Sequence, residues 1–192
     1  VEEFMEIGGS PIPGLNLKTV LRGHTAQIND FSVSPSGTYI ASPSDDGTVG
    51  IWNIKNYQFR AMPLQMGRIY SSRWSLDERV LFLHSAEGLC SWDMTSGNTS
   101  VLHKRRIDDN VNCIRCSPDN QTFALARYGG VDLINPYSNT SLPSIVDDEL
   151  GTVWGVAWAL NGSVLVTGSH RVYLRAWNTG TGRVHYQIEG HT

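Results

Sequence analysis

The chain has 192 residues, of which 40% are hydrophobic, and its 18 acidic and 15 basic residues give a net charge of -3. This composition is ordinary for a globular domain, and it argues against a strongly basic nucleic-acid-binding protein and, without a run of 18 apolar residues, against a membrane-spanning helix. Three cysteines are too few for a disulfide framework, which predicts a reducing compartment, either the cytoplasm or the nucleus.

The first clear pattern in the chain is the segment GHTAQINDFSVSPSGTYIASPSDDGTVGIWN, residues 23–53. Short alternating apolar runs end at Ser-Pro and Asp-Gly pairs, which are typical of turns. The runs around Ile28–Val33, Tyr39–Ile40 and Val49–Trp52 predict three strands, and Gln58–Pro63 predicts a fourth. No stretch has a helical period.

Three later segments repeat this pattern at residues 67–93, 110–135 and 152–178. The aligned residues Trp52, Trp92, Ile134 and Trp177 fall 40, 42 and 43 positions apart. Self-similarity at this period is the mark of a repeat architecture, in which each unit packs only on its neighbours. The sequence therefore predicts an all-β fold of four units with four strands each.

A Gly-His pair before the first strand and a Trp-Asp-like pair near the end of the third resemble the WD40 repeat family of β-propellers. The resemblance covers Leu15 to Thr192. It implies a partial propeller of four blades from a ring of about seven or eight. The remaining blades would come from a longer parent chain or, alternatively, from a second copy. The implied limits are a lead-in linker at 1–14 and repeats at about 15–62, 63–103, 104–146 and 147–189, with a fifth beginning at 190–192.

The lead-in has two further implications. The segment 14–21, GLNLKTVL, is expected to be an outer strand that completes the last blade of the ring. The longer stretch MEIGGSPIPGLNLKTVLRGHT, residues 5–25, is similar to the lead-in of transducin-β-like corepressor subunits, which are nuclear proteins of histone deacetylase assemblies.

In this family a histidine, a hydroxyl residue, an aspartate and a tryptophan form a buried hydrogen-bonded chain, matched in the first unit by His24, Ser44, Asp46 and Trp52. The second unit offers Ser85, Glu87 and Trp92 without a matching histidine; the fourth offers Ser169 and Trp177. Ser44, His24 and Asp46 also have the composition of a hydrolase triad. A triad needs an exposed hydroxyl beside an oxyanion hole, so we predict a structural role, no enzyme activity and no cofactor.

The stretch CIRC, Cys113 to Cys116, raises the question of a metal site. Residues three apart on a strand point to opposite faces, so the two thiols do not converge, and we predict no metal. The basic run His103 to Arg106 is expected to be a solvated loop. Nucleic acid would then be contacted only through a larger complex.

The remaining place for function is the propeller surface. The resemblance implies a partner-binding rim at the start of each first strand and at the turn between the second and third strands. The leading hypothesis is a scaffold that binds a protein or peptide there, with Trp154 as its main anchor; the alternative is a reader of a modified peptide such as a histone tail, with an aromatic cage near Tyr70, Tyr128 and Trp154. The predicted rim residues are Gln27, Asn29, Asp45, Arg68, Tyr70, Asn110, Asn112, Tyr128, Thr152, Trp154 and His170.

Overall fold

A computed structural model describes residues 19–64, 66–104, 111–138, 142–147, 149–171 and 173–189. These residues form sixteen strands in four antiparallel sheets of four. The strand order within each sheet follows the chain, so each sheet is a meander that forms one blade. The all-β partial propeller predicted from the sequence is confirmed.

The second, third and fourth strands of blade 1 agree with the predicted runs. The first, predicted around Ile28–Val33, is shorter, and Ile28 only forms an isolated bridge with Ser44. Blade 1 contains β1 (Ser32–Val33), β2 (Tyr39–Pro43), β3 (Thr48–Asn53) and β4 (Phe59–Pro63). Blade 2 contains β5 (Ile69–Trp74), β6 (Val80–Ser85), β7 (Gly88–Asp93) and β8 (Thr99–Lys104).

The last two blades follow the same plan, with one short 3-10 turn at Leu160–Gly162. In the part of the chain that the structure describes, no helix is long and apolar enough to cross a membrane. Blade 3 contains β9 (Cys113–Cys116), β10 (Phe123–Arg127), β11 (Gly130–Ile134) and β12 (Ile145–Val146). Blade 4 contains β13 (Val153–Ala159), β14 (Val164–Ser169), β15 (Tyr173–Asn178) and β16 (Arg183–Glu189).

Three expectations for the ends of the chain fall wholly or mainly outside the described residues. The predicted linker 1–14, most of the predicted outer strand 14–21 and the predicted fifth repeat 190–192 all lie there. The described part of the outer-strand segment, residues 19–21, is not assigned to a strand.

Strand register supports the alignment of the four units. The aligned residue of each third strand pairs with an apolar residue near the start of the second, as Trp52 does with Ile40 and Ile134 with Phe123. Because side chains alternate along a strand, this common register gives every blade the same two faces. One face looks toward the preceding blade and the other toward the next.

The hydrophobic core consists of three clusters, one between each pair of consecutive blades. Between blades 1 and 2, Ala41, Val49 and Ile51 meet Trp74 and Trp92. The cluster between blades 2 and 3 is centred on Phe82 and Phe123, and the one between blades 3 and 4 includes Val131 and Trp177. Burying one such side chain is worth about 1.5–3 kcal/mol, so each blade depends on its neighbours for stability.

The two outermost faces lack this cover. Ile28 is 49% exposed, whereas the corresponding Ile69 and Val153 are completely buried against the preceding blade. Leu174 on the far face of blade 4 is 38% exposed, whereas the corresponding Val131 of blade 3 is completely buried by blade 4. Both open faces therefore have the apolar character of inter-blade faces, as expected for part of a larger propeller.

The turn between β3 and β4 contains a strained residue. Tyr57 has φ 59°, and Gly97 and Gly182 take the same position with φ 76° and 67° in blades 2 and 4. All three donate their backbone N–H to a residue four positions earlier. A tyrosine in this left-handed conformation is unfavourable because its Cβ crowds the backbone.

We expect Tyr57→Gly to raise the free energy of unfolding by about 0.5–1 kcal/mol. The free energy gained when this strain is relieved exceeds the entropic cost of ordering a glycine, which is more flexible in the unfolded chain. Chemical denaturation measures the change. Lys55→Gly in the same turn, where φ is not positive, is the control and should destabilise the protein. A loss of stability in Tyr57→Gly equal to that of the control would contradict the prediction.

Candidate functional site

Blade 1 contains a continuous chain of hydrogen bonds beneath the turn between β2 and β3. The Trp52 indole N–H donates to the Ser42 hydroxyl at 2.7 Å, and that hydroxyl lies 2.7 Å from His24 Nε2. His24 Nδ1 lies 2.8 Å from Asp46 Oδ2. The chain is consistent when His24 carries its proton on Nδ1, so that Ser42 donates to the free Nε2. Every buried polar atom in the chain then has a partner.

The hydroxyl in this network belongs to Ser42 and not to Ser44, so the predicted position was wrong by two residues. Trp52 pairs with Ile40, and Ser42 lies on the same face two residues further along the strand. Ser44 comes after the end of β2, where its hydroxyl accepts the backbone N–H of Asp46 at 3.1 Å. Its role is to shape the turn.

Blade 4 contains a shorter form of the network. The Trp177 indole N–H donates to the Thr167 hydroxyl at 2.9 Å. The predicted Ser169 accepts the backbone N–H of Arg171 at 3.2 Å, which is the turn role that Ser44 has in blade 1. Ser169 was therefore also assigned two residues too far along the strand.

Blade 2 lacks the network altogether. Leu83 takes the position of Ser42, and the Trp92 indole N–H is buried without a hydrogen-bond partner among the described residues. Ser85 accepts the backbone N–H of Glu87 at 3.2 Å, again in the turn role. Blade 2 is held by apolar packing in place of a polar chain.

The alternative of a hydrolase triad does not fit this geometry. Ser44 is completely buried and bonds to the backbone of the turn. Ser42, which does contact His24, is 3% exposed and its oxygen accepts the Trp52 indole N–H. Neither hydroxyl is open to a substrate, as nucleophilic attack requires.

Asp46 is the anionic end of the network. Burial by itself would raise its pKa, but hydrogen bonds from the Thr48 side chain, the Thr25 backbone and His24 outweigh burial and hold the pKa of the carboxyl well below its usual 3.8. The Thr48 hydroxyl lies 2.6 Å from the Asp46 carboxylate, and the Thr25 N–H lies 3.0 Å from it. The carboxylate is therefore charged throughout the neutral range.

The Asp46 network predicts a specific acid sensitivity. A carboxyl whose folded pKa is lowered contributes stability above its unfolded pKa of about 3.9, and this contribution is lost as the pH falls toward the folded pKa. We expect the wild-type protein to lose more unfolding free energy between pH 5 and pH 3 than Asp46→Asn does. Denaturation series at both pH values measure this, and equal losses in the two proteins would contradict the assigned role.

The upper edges of the blades form the surface that we call the top rim. It consists of the turns between the second and third strands of each blade and the chain just before each first strand. In blade 1 it brings three predicted residues together: the Asp45 backbone N–H donates to the Gln27 carbonyl at 2.9 Å, and the Asn29 amide donates to the Asp45 carboxylate at 2.8 Å.

In blade 2 the same backbone bond joins the Ala86 N–H to the Arg68 carbonyl at 3.0 Å. Tyr70 packs on the buried His84, with 5.0 Å between ring centroids. Arg68 is exposed and Tyr70 is half-buried. The rim of blade 2 thus presents a cation and part of a phenol ring to solvent.

The aromatic part of the rim lies where blades 3 and 4 meet. Trp154 is 57% exposed and contacts His170 edge to face, with 5.4 Å between ring centroids. Tyr128 is 71% exposed and pairs with Thr152 of the next blade in an isolated β-bridge. The indole of Trp154 is thus open to solvent and not packed in the inter-blade core. The predicted rim residue Asn110 lies outside the described residues.

Two rim asparagines have a structural contact that the sequence reasoning missed. The Asn29 amide donates to the Ile69 carbonyl at 3.0 Å, and the Asn112 amide donates to the Val153 carbonyl at 3.2 Å. Each bond reaches from one blade to the first strand of the next. The signal was present in the sequence as an asparagine at the same repeat position.

The CIRC cysteines lie in different surroundings. Cys113 is buried in the cluster between blades 3 and 4, whereas Cys116 packs against the cluster between blades 2 and 3. Burial, which has the largest effect, and the negative charge of the nearby Asp119 raise the pKa of Cys116 to about 12. Among the described residues, no group of three or more His, Cys, Asp or Glu side chains could hold a metal ion.

Comparison with known proteins agrees with this architecture. The model of the family described as "WD domain, G-beta repeat" matches residues 15–53, which include blade 1 up to the end of β3. The match and the four sheets decide the family. The chain belongs to the WD40-repeat family.

Three curated relatives illustrate what the chain is similar to. The ribosome biogenesis protein erb1 of Aspergillus fumigatus is 47% identical over 147 residues, which is 72% of this chain and 13% of that protein. Ribosome biogenesis protein ERB1 of Scheffersomyces stipitis is 46% identical over 124 residues, 64% of this chain and 11% of that protein. The pre-mRNA-splicing factor cwf17 of Schizosaccharomyces pombe is 37% identical over 87 residues, 43% of this chain and 25% of that protein. The chain spans a quarter or less of each.

Proposed function

We propose that this WD40 chain belongs to a non-catalytic scaffold that binds a protein or peptide on its top rim, as part of a multi-protein assembly. The observation that carries the proposal is the exposed Trp154–His170 pair beside the exposed Tyr128. Trp, Tyr and Arg are the residue types that dominate binding energy at protein interfaces, and all three occur on this rim.

The relatives support the kind of assembly. Proteins named for ribosome biogenesis match up to 72% of the chain, against 43% for the protein named for splicing. We therefore favour an assembly that matures ribosomes, and with it the nucleus over the cytoplasm. With a net charge of -3 the chain is poorly suited to hold RNA by itself, so we assign nucleic-acid contact to its partners.

The rim geometry favours a scaffold over a reader of a modified peptide. Tyr70 packs on His84, and Trp154 packs on His170, while Tyr128 extends into solvent. Among the described residues, no ring contact joins these three aromatic side chains to one another. A cage for a methylated lysine needs several rings around one cation, whereas separate anchors suit a broad protein surface.

The open faces of blades 1 and 4 belong to the same proposal. Each is an apolar inter-blade face, marked by Ile28 on one side and Leu174 on the other. We infer that further repeats of a longer chain cover them; a second copy of this chain is the alternative. A monomer mass for the natural full-length protein, measured by light scattering, would support the first arrangement, and a dimer that dissociates on Leu174→Asp would support the second.

The test of rim binding is a comparison of purified complexes. The full-length protein carrying Arg68→Glu with Tyr128→Ala is expected to lose a partner that the wild-type protein retains. A matched variant, Arg79→Glu with Tyr57→Ala, changes the same residue types in the turns at the opposite edge and should retain that partner. Loss in both variants, or in neither, would contradict binding on the top rim.

A further inference from the structure

Two inter-blade junctions lie on the lower side of the propeller, opposite the top rim. They contain equivalent tryptophans but differ in the residue that covers the indole. Between blades 1 and 2, the Tyr39 ring stacks on the Trp74 indole, with 6.3 Å between centroids and 26° between planes. Between blades 3 and 4, Trp158 takes the place of Trp74. Both indoles donate to a carbonyl in the preceding blade's first strand, at 3.1 Å and 3.0 Å.

The difference lies in the residue that covers the indole. Thr122 stands where Tyr39 stands, since each precedes the residue that pairs with the aligned third-strand position. A threonine cannot reach across the indole as a tyrosine does. Trp74 is accordingly 7% exposed, whereas Trp158 is only half-buried.

A cavity of about 200 Å³ opens at this junction, and we call it the bottom cleft. Its apolar lining residues are buried or half-buried, whereas its polar residues Asp119 and Asn161 are exposed and mark its mouth. For comparison, a cavity of about 150 Å³ is large enough to take benzene. The residues that define it are Thr122, Leu133, Leu142, Trp158, Asp119 and Asn161.

The mouth of the bottom cleft offers a charged acceptor. Asp119 Oδ1 accepts the Ser117 hydroxyl at 2.5 Å and the Gln121 N–H at 3.0 Å. These two bonds keep the pKa of the Asp119 carboxyl below its usual value, so the group stays ionised at neutral pH. A ligand with an aromatic ring and a hydroxyl at its end matches an apolar floor with an anionic mouth.

We propose that the bottom cleft binds a tyrosine side chain of a partner protein, with the ring stacked on Trp158 as Tyr39 stacks on Trp74 and the hydroxyl directed to the Asp119 side of the mouth. The stack of Tyr39 on Trp74 is thus an example, within the same chain, of the contact that we assign to a partner tyrosine and Trp158. This binding is separate from the top rim, because the bottom cleft lies between the turns at the opposite edge of the blades.

The test uses the full-length protein labelled with ¹⁵N-tryptophan and titrated with N-acetyl-tyrosinamide. The indole N–H signals of Trp74 and Trp158 are assigned by substituting each with phenylalanine. We expect a saturable shift of the Trp158 signal and none of the Trp74 signal, which Tyr39 already covers. N-acetyl-leucinamide, which has no ring, should leave both signals unchanged.

Three variants sharpen the result. Thr122→Tyr supplies the ring from the chain itself and should abolish the response of Trp158, whereas Gln121→Tyr, at an exposed neighbouring position, should preserve it. Tyr39→Thr opens the matching junction and should make Trp74 respond. An absent Trp158 shift, equal shifts of the two indoles in the wild-type protein, or an unchanged response in Thr122→Tyr would each overturn the proposal.

Discussion

Ser42→Ala is expected to lower the free energy of unfolding by about 2–4 kcal/mol. The substitution removes the oxygen that accepts the Trp52 indole N–H and the hydroxyl that donates to His24 Nε2. Each polar group left buried without a partner costs about 1–3 kcal/mol. Because the two groups share one hydroxyl, a single substitution leaves both without a partner.

The matched control is Ser44→Ala, two residues further along the same segment. Its hydroxyl accepts one backbone N–H in the turn, so its removal should cost about 1 kcal/mol or less. Denaturant unfolding of both variants gives the comparison. A larger loss in Ser44→Ala than in Ser42→Ala would restore Ser44 to the network and contradict the geometry described above.

The second large effect is expected for partner binding. Trp154→Ala should weaken binding of a top-rim partner by about 30-fold or more, since a central aromatic anchor contributes about 2 kcal/mol or more at an interface. It should leave the free energy of unfolding nearly unchanged, because more than half of the Trp154 side chain is exposed. Calorimetric titration of the purified partner measures the affinity.

An exposed apolar side chain at the opposite edge provides the control for this experiment. Leu76 is 60% exposed in the turn between β5 and β6, so Leu76→Ala removes exposed apolar surface away from the top rim. It should bind the partner as the wild-type protein does. Equal affinity of Trp154→Ala and the wild-type protein would remove Trp154 from the interface.

The fold could be predicted from the sequence because its signals are local. Alternating apolar residues and glycine-containing turns set each strand, and the spacing of Trp52, Trp92 and Trp177 set the repeat. Strand pairing then follows from chain order, since a meander joins neighbours through short turns. The open faces of the outer blades followed from the same reasoning, because four units leave two faces uncovered.

The hydrogen-bond network could be predicted only in outline. Two serines, Ser42 and Ser44, flank Pro43, and both lie at a plausible distance from Trp52 along the chain. The pairing of Trp52 with Ile40 decides between them, and that register is a property of the sheet and not of either serine. Ser42 and Ser44 are two residues apart, so the alternation of side chains along a strand does not distinguish them. The same two-residue error occurred at Ser169.

The bottom cleft was beyond sequence reasoning for a different reason. Its origin is the replacement of a tyrosine by Thr122 at a position that Tyr39 occupies in blade 1. The sequence shows the difference, but it does not show that the two residues lie over equivalent indoles in adjoining blades. Contacts between units are set by blade packing, which a repeat alignment does not contain.

The most direct test of the central claim is hydrogen–deuterium exchange on the full-length protein, with and without its purified partner. Binding on the top rim predicts slower exchange at the turns between the second and third strands of the blades and in the chain at the start of each first strand. We expect the largest change around residues 126–130, in the turn of blade 3, and 151–154, at the start of β13. Unchanged exchange at all of these segments, in a sample where the partner is fully bound, would contradict a partner-binding top rim.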